Sequence, residues 1–387
     1  MTSLTTFDVL AYLSNGKMPV DHLTMLIRRN AHFPRVSDRR IRALLRELQE
    51  RGVVAQEAET LALTSAAANT LAFLLWAKKD GLDYNIPLQG RNLRLFQQIF
   101  EEGPLHIVSH SPFSRPTTIK MTKALEQLRF ISVQKRKPLV AKANVTDTTL
   151  FLANAFGFAF ARFQGNLQFG MRIQDSPKLR EHLIRLHVYS TTVTEGNTAT
   201  ESDVERVLGN RSSRLSPKEV LEIVNAKRAV EELYRVYKTE SLTADLMKRL
   251  HATLMANLVE HPGEFAYARK RIIGSAAKLP DSKIEIDTAI QAVLNFYAKY
   301  EASIHPSVLA ALVHFLLVSI HPFIDGNGRV ARLVHSYILM RAGFPLFAFD
   351  PNHRNRYFDL LEVGRTGSVD AFVQFCIDKH RELLDTL

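Results

Sequence analysis

Seven residues with complementary chemistry fall within the stretch 321–332: His321, Asp325, Gly326, Asn327, Gly328, Arg329 and Arg332. A histidine titrates near neutral pH and can act as a general base. A carboxylate such as Asp325 is a hard oxygen ligand that magnesium accepts alongside phosphate and water. The glycines flanking Asn327 let the backbone approach a ligand closely. Loop amides feeding a helix start make a nest for anions. Arg329 and Arg332 are three residues apart, so both reach one side of that helix. Guanidinium forks match phosphate oxygens in pairs. Together these are the groups needed for chemistry on a magnesium nucleotide.

Two helices must hold this loop. Val308, Leu309, Leu312, Val313, Leu316, Leu317 and Ile320 recur at spacings of three and four, the stripe of a buried helix. Pro306 suits its first turn, and Pro322 stops it, leaving His321 at its end. A second helix is expected from about Gly328, on the period of Val330, Leu333, Val334, Tyr337 and Ile338.

The run His321-Pro322-Phe323-Ile324-Asp325-Gly326-Asn327-Gly328-Arg329, with Arg332, resembles the signature of Fic-domain proteins at every specified position. That resemblance implies AMPylation, the transfer of AMP from ATP to a protein hydroxyl with release of pyrophosphate. It implies His321 as the base and Asp325 as the Mg2+ ligand. Gly326, Asn327 and Gly328 would form the phosphate cradle, with Arg329 and Arg332 neutralising the triphosphate further along. Gly328 argues against the relatives that carry lysine there and transfer phosphate.

The resemblance covers roughly residues 180–380. Arg271-Ile272-Ile273-Gly274 resembles a β-hairpin flap that pairs with the target segment. Tyr357 and Phe358 fall where the family places its adenine pocket. Thr191-Thr192-Val193-Thr194-Glu195-Gly196 resembles an inhibitory motif in which Glu195 would pair with Arg332, with Thr194 departing from the usual apolar residue. A bare structural reading of the same residues is a glutamate at a helix end followed by a glycine cap.

The N-terminal part reads differently. Residues 1–150 carry 21 Lys+Arg against 13 Asp+Glu, and the remainder 29 against 26, so most of the +11 net charge lies outside the nucleotide half. Residues 5–65 read as three helices and then strands. Arg39, Arg40, Arg42, Arg46 and Arg51 sit on or beside the third helix, and residues 91–146 repeat the plan with Lys120, Lys123 and Arg129. This order resembles tandem winged-helix modules. Duplex DNA binding through residues 1–146 and protein interaction both stay open.

The expected fold is therefore mainly α: a Fic-type helical bundle with a β-hairpin flap, preceded by two winged-helix modules. The expected division is 1–88 and 89–147 for the modules, 148–180 for a connecting helical segment, and 181–387 for the Fic domain. The leading function is a self-inhibited adenylyltransferase acting on a protein hydroxyl, its own included. The alternatives are a DNA-binding regulator with a nucleotide-sensing domain and a de-AMPylating enzyme. A homodimer stays open. Cys376 is the single cysteine, so no intrachain disulfide is available. No signal-like N-terminus or bilayer-length apolar run is present, which makes a cytoplasmic protein without membrane contact the expectation.

Overall fold

The computed structural model describes the chain apart from residues 1–3, 5, 14–16, 30–35, 51, 65–66, 89, 161–175, 269, 273–274 and 276. The chain opens with α1 (Thr6–Leu13), β1 (Met18–Pro19), α2 (Val20–Arg29), α3 (Asp38–Glu50), β2 (Val54–Glu57) and β3 (Thr60–Leu63). The strands pair antiparallel in the order β1-β3-β2. Ile41, Leu44, Leu45 and Leu48 give α3 its buried stripe. Two helices follow, α4 (Ala67–Lys79) and α5 (Asn85–Leu88).

The same plan recurs in α6 (Gly90–Glu102), β4 (Leu105–His106), α7 (Ile107–His110), α8 (Arg115–Gln127), β5 (Ile131–Arg136) and β6 (Leu139–Ala143), with strand order β4-β6-β5. The short first strand of each sheet was not expected from the sequence. Two residues are too few to show a period of two.

α9 (Asp147–Phe156) is capped by Thr146 and closed by Gly157 at φ 69°. The apolar run 150–163 was expected as one helix, and glycine in the left-handed region ends it early. Phe158 and Phe160 continue into the core as irregular chain, and Phe163 lies outside the described residues.

The helical body follows: α10 (Pro177–Thr194), α11 (Glu201–Leu208), α12 (Pro217–Val236), α13 (Ala244–Leu254), α14 (Lys283–Tyr300), α15 (Pro306–Ile320), α16 (Asn327–Arg341), a 3-10 turn (Pro351–His353), α17 (Arg354–Thr366) and α18 (Asp370–Asp385). α15 is buried from Ser307 to Ile320 and packs on α14, α16 and α18. A boundary at residue 180 would cut α10, because Ser176 caps it and Pro177 takes its first turn.

α4 joins the first N-terminal unit to this body. It packs on α9 and α14, with Trp76 against Phe151 at 4.9 Å between ring centres. Trp76 Nε1 donates to Asp147 Oδ2 at 3.0 Å, and Asn295 Nδ2 donates to Asn69 Oδ1 at 3.0 Å. No helix among the described residues is long and apolar enough to cross a membrane.

Candidate nucleotide site

α15 ends on His321, which takes the left-handed conformation at φ 54° and ψ 58°. That turn swings its side chain out of the helix and leads into the loop 322–326. Asn327 closes the loop from below. Its Oδ1 accepts from Phe323 N–H and its Nδ2 donates to Phe323 O, both at 2.9 Å. The Asn327 side chain thus holds the loop's shape, which leaves only backbone amides for a phosphate.

His251 of α13 clamps the same loop. It accepts at Nδ1 from Gly263 N–H at 2.8 Å, so Nε2 carries the proton and donates to the Asp325 carbonyl at 3.0 Å. Its ring stacks on Phe323 at 3.8 Å and 5°. Gly326 caps α16 at φ 75°, and an added Cβ would lie 2.8 Å from Met255 Sδ. Glycine is required there on both counts.

His321 is largely buried. Burial, then Lys270 and Arg365, push its pKa down to about 4. It is neutral at pH 7, the form a base needs. Lys270 reaches it because the flap stretch folds back: Ala266 N–H donates to Pro322 O at 2.8 Å, and Lys270 Nζ donates to Ala266 O at 2.7 Å. Burial lowers the Lys270 pKa to about 8. Arg365 donates to the Val318 carbonyl at 3.2 Å.

Asp325 stands at the loop tip with its side chain 61% exposed. Its Oδ1 accepts from Gly326 N–H at 2.6 Å, and its Oδ2 lies 3.3 Å from Arg329. One exposed carboxylate beside an anion nest fits magnesium, which takes one or two protein carboxylates and fills the rest with phosphate and water. The described residues contain no group of three metal-ligating side chains. A metal at Asp325 would therefore draw most of its ligands from nucleotide and water.

Arg332 is fully buried. Its Nε donates to Thr191 Oγ1 at 2.8 Å, and its Nη2 donates to the Thr191 carbonyl at 3.3 Å and to Glu195 Oε1 at 2.5 Å. Burial opposes its charge, and Glu195 and Tyr357 together outweigh that, so its pKa is raised. Glu195 caps α10, with Gly196 following at φ 101°. Its carboxylate fills the space where a Cβ on Gly328 would sit. A side chain at 328 would collide with Glu195. The two readings of Glu195, helix cap and arginine partner, hold together in one geometry.

Other expected residues fall elsewhere. Tyr357 does not line an open adenine pocket. It is 3% exposed, and its hydroxyl meets His314 Nε2 at 2.8 Å. Burial raises its pKa and Arg332 pulls it back, so it belongs to the packing behind that arginine. Phe358 is exposed at 36%, with Arg354 over its ring at 4.9 Å.

The flap shows no strand among the described residues 264–280. Arg271 and Ile272 lie in irregular chain, whereas Ile273 and Gly274 fall outside the described residues. Arg39, Arg40, Arg42, Lys120 and Lys123 are all exposed, on α3 and α8. His251, Lys270, Glu222 and Arg365 were not singled out as site residues from the sequence. None belongs to a local motif, and only the fold brings them to the loop.

The Fic/DOC family profile matches residues 241–339. The chain is 27% identical over 295 residues to the protein adenylyltransferase Fic of Aedes aegypti, covering 75% of this chain and 53% of that protein. It is 32% identical over 204 residues to the protein adenylyltransferase Fic of Drosophila willistoni, covering 51% and 40%. The chain spans about half the length of the curated relatives it matches. A solved structure of Fic-1 from C. elegans superposes with a TM-score of 0.50 at 17% identity, covering 90% of this chain and 92% of that one. This last likeness concerns the fold alone.

Proposed function

We propose that the chain carries a Fic domain and is a self-inhibited protein adenylyltransferase, moving AMP from ATP to a protein hydroxyl. The observation that carries the reading is the meeting at the start of α16 of a neutral His321, an amide nest at 326–328 and two buried arginines. In the reaction the hydroxyl oxygen of the target attacks the α-phosphorus. The bond from that phosphorus to the α,β-bridging oxygen breaks, pyrophosphate leaves, and the hydroxyl proton passes to His321. Magnesium at Asp325 would neutralise phosphate charge. Bound nucleotide, itself anionic, raises the basicity of His321 from its value beside Lys270 and Arg365.

Glu195 is the brake. It occupies the Arg332 fork and the space over Gly328, both of which a triphosphate needs. Labelled ATP tests this on the full chain. Glu195→Gly is expected to incorporate more label than the unaltered chain, with the chain itself as first acceptor. His321→Ala in that background is expected to lose about 10²–10⁴-fold. Undiminished labelling by the histidine variant would sink the reading.

We read the two N-terminal units as winged-helix modules. The support is their shared order of helix, strand, helix, helix, strand, strand, and the exposed cations on the third helix of each. Their partner in this reading is duplex DNA. A cytoplasmic setting suits a lone buried thiol at Cys376.

A further inference from the structure

The second arginine of the motif has an evident keeper in Glu195, and the first has a less evident one. Arg329 is 5% exposed, and its Nε is buried without a partner. Two carboxylates face its fork: Asp325 Oδ2 at 3.3 Å from Nη2, and Glu222 Oε1 at 3.9 Å from Nη1. These two differ in freedom. The Asp325 side chain is 61% exposed at the loop tip, whereas the Glu222 side chain is 15% exposed on the second turn of α12.

Glu222 is itself held. Its Oε2 accepts from Asn197 Nδ2 at 2.8 Å, and that amide also lies 3.2 Å from the Glu219 carbonyl. Asn197 Oδ1 accepts from Ala199 N–H at 3.0 Å. Next to it, Glu219 Oε1 accepts from Thr198 N–H at 2.9 Å and from Thr198 Oγ1 at 2.7 Å. These hydrogen bonds, with those from Ser216, bring the Glu219 pKa down to about 2. The corner between α10 and α11 is thus fastened to the first two turns of α12 by two glutamates. One of them continues to Arg329.

We propose that Glu222 is the positioning residue for Arg329, keeping that guanidinium paired and in place when Asp325 exchanges it for a metal. This rests on the reading of Asp325 as the metal ligand. A buried guanidinium left without its carboxylates is strongly disfavoured. With Glu222 present, Asp325 can leave Arg329 without stranding it. With Glu222 neutralised, Arg329 has only Asp325, and the two cations compete for one carboxylate. Asn197 sits two residues beyond Glu195, so a single corner governs both arginines: Arg332 directly through Thr191 and Glu195, and Arg329 through Asn197 and Glu222.

The test is calorimetric binding of ATP to the full chain across a magnesium titration, in the Glu195→Gly background. Glu222→Gln keeps the side chain's shape and removes its charge. It is expected to raise the magnesium concentration for half-maximal ATP binding about fivefold or more, with ATP binding at saturating magnesium little changed. Asn197→Ala, a milder change outside the arginine's reach, is expected to move the midpoint the same way by less. Adding Glu222→Gln to Asp325→Asn is expected to produce no further shift, because the contested carboxylate is gone. An unmoved midpoint overturns the proposal. So does an equal loss of ATP binding at every magnesium concentration, which marks damage to packing. The readings fail separately: absent AMP labelling sinks the transferase assignment, and an unmoved magnesium midpoint sinks this one.

Discussion

Gly326 shows how narrowly the loop is drawn. Its φ of 75° is a conformation that L side chains rarely adopt, and Met255 closes the space beyond it. Gly326→Ala meets both obstacles. We expect a destabilisation of about 1–3 kcal/mol from the backbone conformation, read as a lowered urea midpoint with unchanged slope. A midpoint equal to that of the unaltered chain would show that Met255 and the loop yield freely. His321 and Asp325 are chemically plain from their spacing to Arg329 and Arg332. Asn327 was expected in the phosphate cradle through the loop's backbone amides, and its side chain ties the loop to itself at Phe323. Sequence spacing places a residue in a loop and cannot say which way its amide turns.

Among the elements, α10 connects the Glu195–Arg332 pair to packing. His187 donates to the Phe347 carbonyl at 2.6 Å, Ser190 bonds the Phe349 carbonyl, and Arg354 Nε caps the Thr194 carbonyl at 2.7 Å. These contacts fix the helix whose last turn delivers Thr191 and Glu195 to Arg332. Thr191→Val removes the acceptor for Arg332 Nε and leaves Glu195 in place. We expect a rise in self-labelling smaller than that of Glu195→Gly, and no rise at all would show that Thr191 only packs. The helices themselves follow from periodicity and caps, as at Pro177, Pro217 and Pro306. What periodicity misses is long-range. The positions of α4 on α9 and α14, of His251 under the loop, and of Tyr357 behind Arg332 depend on contacts between distant segments.

Across the whole molecule, buried histidines make stability depend on pH. His187, His251, His321 and His380 are pushed down to about 4, His335 to about 3, and His314 also downward, each first by burial. The folded chain keeps these rings neutral, while the unfolded chain protonates them near 6.5. Below 6.5 the unfolded state therefore binds more protons, and stability falls as pH drops toward 4. Each ring contributes a slope on the order of 1 kcal/mol per pH unit in that window. Urea midpoints are expected to be level between about pH 7 and pH 8, below the Lys270 window, and to fall steeply from pH 6.5 to pH 4. A flat profile through that window would mean that the rings are protonated in the folded state.

Most of the net positive charge lies in residues 1–150. Arg39, Arg40 and Arg42 stand exposed on one turn of α3, and Lys120 and Lys123 on α8. The Arg42 ion pair is weak: it lies 3.9 Å from Asp21 with both side chains largely in solvent, so little is lost when a phosphate replaces it. The full chain is the right material, because cutting after residue 146 would remove α9 from Trp76 and α4. We expect it to bind duplex DNA at low salt, with affinity falling linearly on a log–log plot. Each phosphate contact adds about 0.9 to that slope. Replacing Arg39, Arg40 and Arg42 with alanine should flatten the slope by up to about three such steps and weaken binding for every sequence tested, since these side chains meet backbone before bases. Replacing Lys120 and Lys123 should remove up to about two more if both units bind at once. Binding absent at low salt, or a slope unmoved by the triple change, would assign these units to protein contacts. The His321 loop is fixed by α13, α15 and α16 and would be untouched by that outcome.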